Sequence, residues 1–219
     1  MAQRPIFIVK DKFPFYHTYT LNFTYHSGFA KSQRQKNVIS LHDEFSKTRL
    51  ARDGLKIEEV STKSLNPEMI KLSAFKLMKY VPSLNKSVPL ECVFQSGKVF
   101  SNGGPYLDLL EAKPAAAKKD ERLKTSGRLI AFEFEGVRYP LEPKSIFYDW
   151  LYMNACLENP DVSKILLDYD VFTDIEFNPE KSFNCQARSC AIFVSLNRLG
   201  LVDKIKDFDE FKNLIVNGL

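Results

Sequence analysis

Three residues in one short stretch have the types and the spacing to do chemistry together. Glu91, Gln95 and Lys98 stand at i, i+4 and i+7 within Leu90-Glu91-Cys92-Val93-Phe94-Gln95-Ser96-Gly97-Lys98. On a helix that spacing lines side chains along one face. From spacing alone, the plain reading is a surface ion pair. Yet Leu90, Val93, Phe94, Val99 and Phe100 share the stretch, so the polar row runs through apolar surroundings. A carboxylate there can act as an acid or base. A lysine amine can act as a nucleophile only if burial or cationic neighbours pull it below its usual pKa of about 10.4.

Lys36 is a second candidate amine. Lys31 and Arg34 lie close in sequence and would depress its pKa, and residues 22–42 contain no acid. Residues 113–128 hold Lys113, Lys118, Lys119, Arg122, Lys124 and Arg128 against Asp120 and Glu121. Such runs are usually solvated faces, but they also attract phosphates. The run Asn102-Gly103-Gly104-Pro105 reads either as a plain turn or as backbone that can approach a phosphate closely. Asp174 reads either as a cap or as a second carboxylate for chemistry.

Other chemistries find no support. There is no phosphate-binding loop of the Walker type, no dinucleotide-binding glycine fingerprint and no Gly-x-Ser-x-Gly elbow. His17, His26 and His42 lack closely spaced ligand partners, so no metal and no cofactor is expected, and His26 reads as a loop residue. The four cysteines are scattered, as expected of reduced, buried thiols in a cytoplasmic protein. The apolar run before Lys10 is too short for a signal peptide, and no stretch approaches the roughly 18 apolar residues of a membrane helix. A net charge of +4 is too mild to indicate nucleic acid by itself. With 18 Phe and 9 Tyr available for a core, disorder is not expected.

The elements that must position these residues follow from periodicity. Residues 5–9 and 19–25 read as strands, the second with Tyr19, Leu21, Phe23 and Tyr25 on one face. A loop around Gly28 enters a helix over 33–46. A helix over 67–80 is capped by Ser64 or Asn66. Residues 90–100 form a further helix or turn, and 105–125 look helical with a break at Pro114. Residues 128–134 and 136–141 read as a hairpin around Glu135-Gly136. Helices follow over 143–158, started by Pro143, then over 160–169, 185–202 and 207–217, with a loop between the second and third of these. No repeat or linker interrupts the chain. The expectation is one α+β domain over 1–219, richer in helix than strand.

The segment around Glu91 resembles the central signature of the NADAR (YbiA-like) family, in which a Glu, an aromatic, a Gln and a Lys recur as E-x-x-F-Q-x-x-K. Other pieces match in order: Gly28-Phe29-Ala30, Gly127-Arg128, Arg138-Tyr139, Asp174 with Phe177-Asn178-Pro179, and Asn184. Tyr139 stands where the family has Trp, and Ala187 where it has the last Gly. The likeness covers about residues 20–202. It is closer to a subgroup of antitoxins that accompany DNA ADP-ribosyltransferase toxins of the DarT type, through GFAKSQRQKN, ECVFQSGKVFSNGGPYLDLL, GRLIAFEFEGVRYPLEPK and FTDIEFNPEKSFNCQA.

The resemblance implies an N-glycosidase that removes ADP-ribose from guanine bases in DNA, with ADP-ribose as product and a cognate DarT-type toxin as partner. It also leaves open a YbiA-like glycosidase of a riboflavin-pathway phosphoribosyl intermediate, or a non-catalytic module that binds ADP-ribose. It implies Glu91 as acid/base and charge stabiliser, and Asp174 as holder of ribose hydroxyls or activator of water. It further implies a lysine Schiff base, on Lys36 ahead of Lys98. Phe29 or Tyr139 would stack on a base. Arg128 would meet the diphosphate, with the amides of Asn102, Gly103 and Gly104 near phosphate. Gln95 and Asn184 would bond ribose hydroxyls.

Overall fold

In the computed structural model, which describes residues 1–218, the chain gathers into two units. One comprises Met1–Ser73 with the described residues from Asp161 onward, the other Ala74–Pro160. The fold class is α+β, with more helix than strand.

The first unit is organised by a four-stranded sheet. Ala2–Val9 pairs antiparallel with Tyr16–Phe23 on one side and with Val171–Thr173 on the other. Ile57–Glu59 adds to the far edge, parallel to Val171–Thr173. Alternation places Leu21 and Phe23 inward, against Ile6 and Ile8. Tyr25 lies beyond the strand end and is exposed, and Tyr19, on the same face as Leu21, is exposed too, so the buried part of that face is shorter than the four-residue pattern suggested. The helix Lys31–Ser46 covers the sheet with Val38, Leu41 and Phe45, at the spacing of one helical face. Losing a side chain such as Leu41, which is fully buried, costs about 2–5 kcal/mol on truncation to Ala. The helix Gln186–Arg198 is buried along most of its length. It is shorter than expected, because Gly200 (φ 70°) turns the chain just past its end. The terminal helix Phe208–Asn217 is capped by Asp207, whose side chain accepts from the Glu210 amide at 2.9 Å.

Two expectations are corrected here. The helix begun at Pro67 and capped by Asn66 runs only to Lys71, and Met78–Val81 is instead a strand. Val171–Thr173, read as part of a loop, is an interior strand of the sheet.

The second unit begins with the hairpin Met78–Val81 and Lys86–Pro89. Next comes the helix Leu90–Ser96. A three-stranded antiparallel sheet then joins Lys98–Phe100, Leu129–Phe134 and Val137–Tyr139. The expected hairpin at Glu135-Gly136 is present, and both residues have positive φ (52° and 76°), as a two-residue turn of this hand requires. Residues 105–125 form three short turns of helix rather than one, at Leu107–Glu111, Pro114–Ala117 and Arg122–Thr125. The helix Ile146–Glu158 starts three residues after Pro143, which is therefore not its first-turn proline. Phe94, Phe132, Phe147 and Trp150 build the aromatic core that joins this helix to the sheet. Lys79 and Glu158 close the unit with an ion pair of 2.5 Å. Its lysine is buried, so removing Glu158 would strand a charge.

Candidate active site

Glu91 and Gln95 lie one turn apart on the helix Leu90–Ser96, and both are buried. The Gln95 amide Nε2 donates to Glu91 Oε1 at 2.9 Å. The other Gln95 atom, Oε1, is buried with no hydrogen-bond partner. A buried acceptor left unmet costs about 1–3 kcal/mol, so a donor arriving from a ligand has something to gain there.

Lys98 is not on the helix, contrary to the i+7 expectation. The helix ends at Gly97, and Lys98 opens the strand Lys98–Phe100. Gly97 is required: a Cβ there would strike the carbonyl of Glu133, whose own amide donates to Gly97 O at 2.7 Å. The sheet thus comes close enough to cover Lys98. The ammonium lies 5.0 Å from the Phe94 ring centroid. Burial lowers the Lys98 pKa from 10.5 to about 8; the Glu91 charge opposes this and the Lys118 charge adds to it.

Sequence reading saw Lys118 only as one cation in a basic run. Its Nζ is 3.8 Å from Glu91 Oε1 and 5.3 Å from the Phe75 ring centroid. Its side chain is well exposed, whereas the carboxylate it meets is not. Gln95 and Lys118 therefore converge on one oxygen of Glu91, which directs the carboxylate. No local pattern announces this, because 27 residues separate Lys118 from Glu91.

The neighbouring loop is tightly built. The amide of Asn102 donates to Ser126 O at 3.0 Å, and that of Gly103 to Phe100 O at 3.5 Å, so both are directed at protein carbonyls. Gly104 has φ 81°, and a Cβ there would strike the Lys98 carbonyl. Arg128 is exposed, and its amide donates to Ser101 Oγ at 3.2 Å. Tyr139 is buried, its ring 4.9 Å from that of Phe147 and 5.1 Å from that of Trp150. It is thus part of the aromatic core.

The remaining candidates belong to the first unit. Asp174 follows the strand Val171–Thr173 and is 9 % exposed; its Oδ1 accepts from the Glu176 amide at 3.0 Å. Asn184 is half-buried, just before the helix Gln186–Arg198. Lys36 is exposed on the helix Lys31–Ser46, and Phe29, in the loop before that helix, is 96 % exposed. That loop is anchored by Asn37, which sequence reading did not single out. Asn37 is fully buried. It accepts from the His26 amide at 2.7 Å and donates to the His26 carbonyl at 2.9 Å. Arg34 reaches Glu176 at 3.5 Å and Tyr25 Oη at 3.1 Å.

A family model described as the DarT1-associated NADAR antitoxin matches residues 2–218. The chain belongs to that family. The match runs through both units and extends past the 20–202 span of the motif resemblance. Membership in the DarT1-associated NADAR antitoxins supports an antitoxin role in a DarT system. A search of curated proteins found no match to the chain. Among the described residues, no group of three or more His, Cys, Asp or Glu side chains is arranged to hold a metal ion. No helix among them is long and apolar enough to cross a membrane. All four cysteines are buried, and none is joined in a disulfide.

This NADAR chain gathers a directed carboxylate, an unmet amide oxygen and a desolvated amine within one unit.

Proposed function

We propose that this DarT1-associated NADAR protein is an N-glycosidase that removes ADP-ribose from guanine in DNA, releasing ADP-ribose and so countering a DarT-type toxin. The observation that carries the reading is buried Glu91 close enough to Lys98 for their charges to interact, with Lys98 an amine whose pKa burial has brought to about 8. Cleaving a bond between an anomeric carbon and a base nitrogen requires a proton for the nitrogen, charge stabilisation at carbon and a nucleophile. Glu91 supplies the proton and the negative charge. Lys98 supplies the nucleophile in preference to Lys36, because it is the desolvated one.

The steps balance with one water. The ribose ring opens to an imine between its anomeric carbon and the guanine nitrogen. The neutral Lys98 amine adds to that carbon, and guanine leaves with a proton delivered through Glu91. Water then hydrolyses the lysine imine, restoring the amine and giving the aldehyde that recloses as ADP-ribose. Gln95 Oε1 accepts from a ribose hydroxyl. Arg128 and the Gly104 backbone meet the diphosphate; of the first unit's residues, Asp174 and Asn184 are assigned to sugar hydroxyls and Phe29 to a base. Residues 1–219 act as one functional NADAR domain, a reading that the family match over residues 2–218 supports.

The test is an oligonucleotide carrying ADP-ribosylated guanine. The purified chain should release free ADP-ribose and restore the unmodified oligonucleotide, and Glu91→Ala should not. An adduct left intact by the wild-type chain ends this reading.

A further inference from the structure

Outside the carboxylate and lysine cluster, the first unit contains a second buried acid that the proposed chemistry does not use. Glu59 is fully buried at the end of the strand Ile57–Glu59. Its Oε2 accepts from Thr173 Oγ1 at 2.6 Å. Its Oε1 accepts from the Ile175 amide at 2.9 Å and from Ser61 Oγ at 2.5 Å. Thr173 and Ile175 are the two residues on either side of Asp174. The Thr173 hydroxyl has one hydrogen, and giving it to Glu59 leaves the oxygen to accept from His42 Nε2, 3.0 Å away. Burial raises the Glu59 pKa, with the bonds from Ser61, Thr173 and Ile175 opposing that rise. A plain backbone turn would not need a desolvated carboxyl group at this point, since burying one is costly unless it is fully bonded.

We propose that Glu59 is a positioning residue for Asp174, gripping the residues before and after it so that the Asp174 carboxylate keeps one direction. The claim rests on the role given to Asp174 in the proposed glycosidase. Glu59 touches no substrate; it acts through reach, and its charge is secondary. Two conservative variants separate those properties. Glu59→Gln keeps the length and leaves a carbonyl oxygen for Ser61 and Ile175. Its amide faces the Thr173 hydroxyl, which can turn to accept. Glu59→Asp keeps the charge but withdraws it by one methylene, beyond hydrogen-bond distance of at least one flank. Small displacements of a group that positions a reactant cost about 10- to 100-fold in rate.

The experiment measures kcat and KM for release of ADP-ribose from ADP-ribosylated guanine oligonucleotide, with thermal midpoints alongside. It uses the full chain, with each Glu59 variant made in the wild-type and Asp174→Asn backgrounds. Expected is a kcat within a few-fold of wild type for Glu59→Gln and a fall of about 10-fold or more for Glu59→Asp. In the Asp174→Asn background the Glu59→Asp loss should nearly vanish, because the two act as one unit. An equal loss in both backgrounds overturns the proposal, as does a lower thermal midpoint with kcat unchanged, or a Glu59→Gln loss matching Glu59→Asp. If Glu59→Asp does not fold, faster hydrogen exchange at the Ile175 amide in Glu59→Gln, with kcat unchanged, overturns the grip. A wild-type chain inactive on the adduct overturns the glycosidase reading itself and the catalytic part of this claim with it. That result is distinct from an active enzyme indifferent to Glu59→Asp, which removes the clamp alone.

Discussion

Gln95 spends its amide on Glu91 and keeps its oxygen unspent. The donation to Glu91 Oε1 spans 2.9 Å within a buried turn of helix, and Gln95 Oε1 meets no donor. The two residues divide the labour, one holding the carboxylate and offering an acceptor, the other doing proton work. Glu91→Gln should therefore lower kcat by about 10²- to 10⁴-fold, the range for a lost general acid. Gln95→Leu should instead raise KM about tenfold, the value of roughly one hydrogen bond. It should also lower the thermal midpoint, since losing the bond to the buried Glu91 carboxylate outweighs the removal of an unmet amide oxygen. A thermal melt and steady-state release of ADP-ribose check both; equal kcat losses from the two substitutions would contradict the division.

Lys98 carries a cost that points to use. Its folded pKa of about 8 lies below the ordinary 10.5 because burial penalises the ammonium. Below pH 8 the amine is charged in both folded and unfolded chains, so the full penalty is present. As pH rises from about 8 to 10.5 the folded chain releases the proton first, and stability rises. Lys98→Met should remove the penalty, abolish activity and raise the thermal midpoint by about 2–4 °C for each kcal/mol recovered. That gain should shrink above pH 8. In the wild type, kcat/KM should climb with pH on a limb centred near 8. Borohydride added during turnover should leave a mass adduct on Lys98; an adduct on Lys36 would move the nucleophile to the first unit.

Lys118 sets that limb from outside. It is exposed, 3.8 Å from Glu91 Oε1, and its charge helps to depress Lys98. Lys118→Met should lower stability somewhat, because the buried Glu91 carboxylate loses an ion-pair partner. It should move the rising limb to higher pH, since a cation that disfavoured the Lys98 ammonium is gone. Lys118→Arg should restore the wild-type profile. A limb that stays in place in Lys118→Met would show that the two lysines do not communicate.

What was legible in the sequence divides along local and non-local lines. The Glu135-Gly136 turn was readable because two adjacent positive φ values favour few residue pairs. The helix Lys31–Ser46 and the Glu91–Gln95 pairing were readable because each depends on spacing within one element. Lys98 was recognised as important but put on the wrong element, because the contact that demands Gly97 comes from Glu133, 36 residues away. The same holds for Met78–Val81: its helical look gave way to pairing with Lys86–Pro89 across Asn85, at φ 48°. Asn37 and Glu59 were passed over, since nothing local distinguishes a buried Asn or Glu from the exposed ones that are far commoner.

The acid stability of the first unit should depend on His42. Burial lowers its pKa from 6.5 to about 4, against a smaller upward pull from Asp43. Above pH 6.5 the imidazole is neutral in both states, and its Nε2–H serves Thr173 at full strength. Between about 6.5 and 4 the unfolded chain takes up a proton that the folded chain refuses, so stability is lost through that window and no further below it. Glu59 works in the opposite sense, because its raised pKa lets the folded chain accept a proton more readily than the unfolded one. A direct melt therefore mixes the two. His42→Gln separates them, since an amide can donate to Thr173 but does not titrate. Urea titrations of both proteins from pH 7 to pH 4 should show the variant gaining on the wild type as pH falls, by up to about 3 kcal/mol at pH 4. A difference that stays flat across that range would mean that His42 protonates in the folded chain as easily as in water, and that its bond to Thr173 does not depend on a neutral ring.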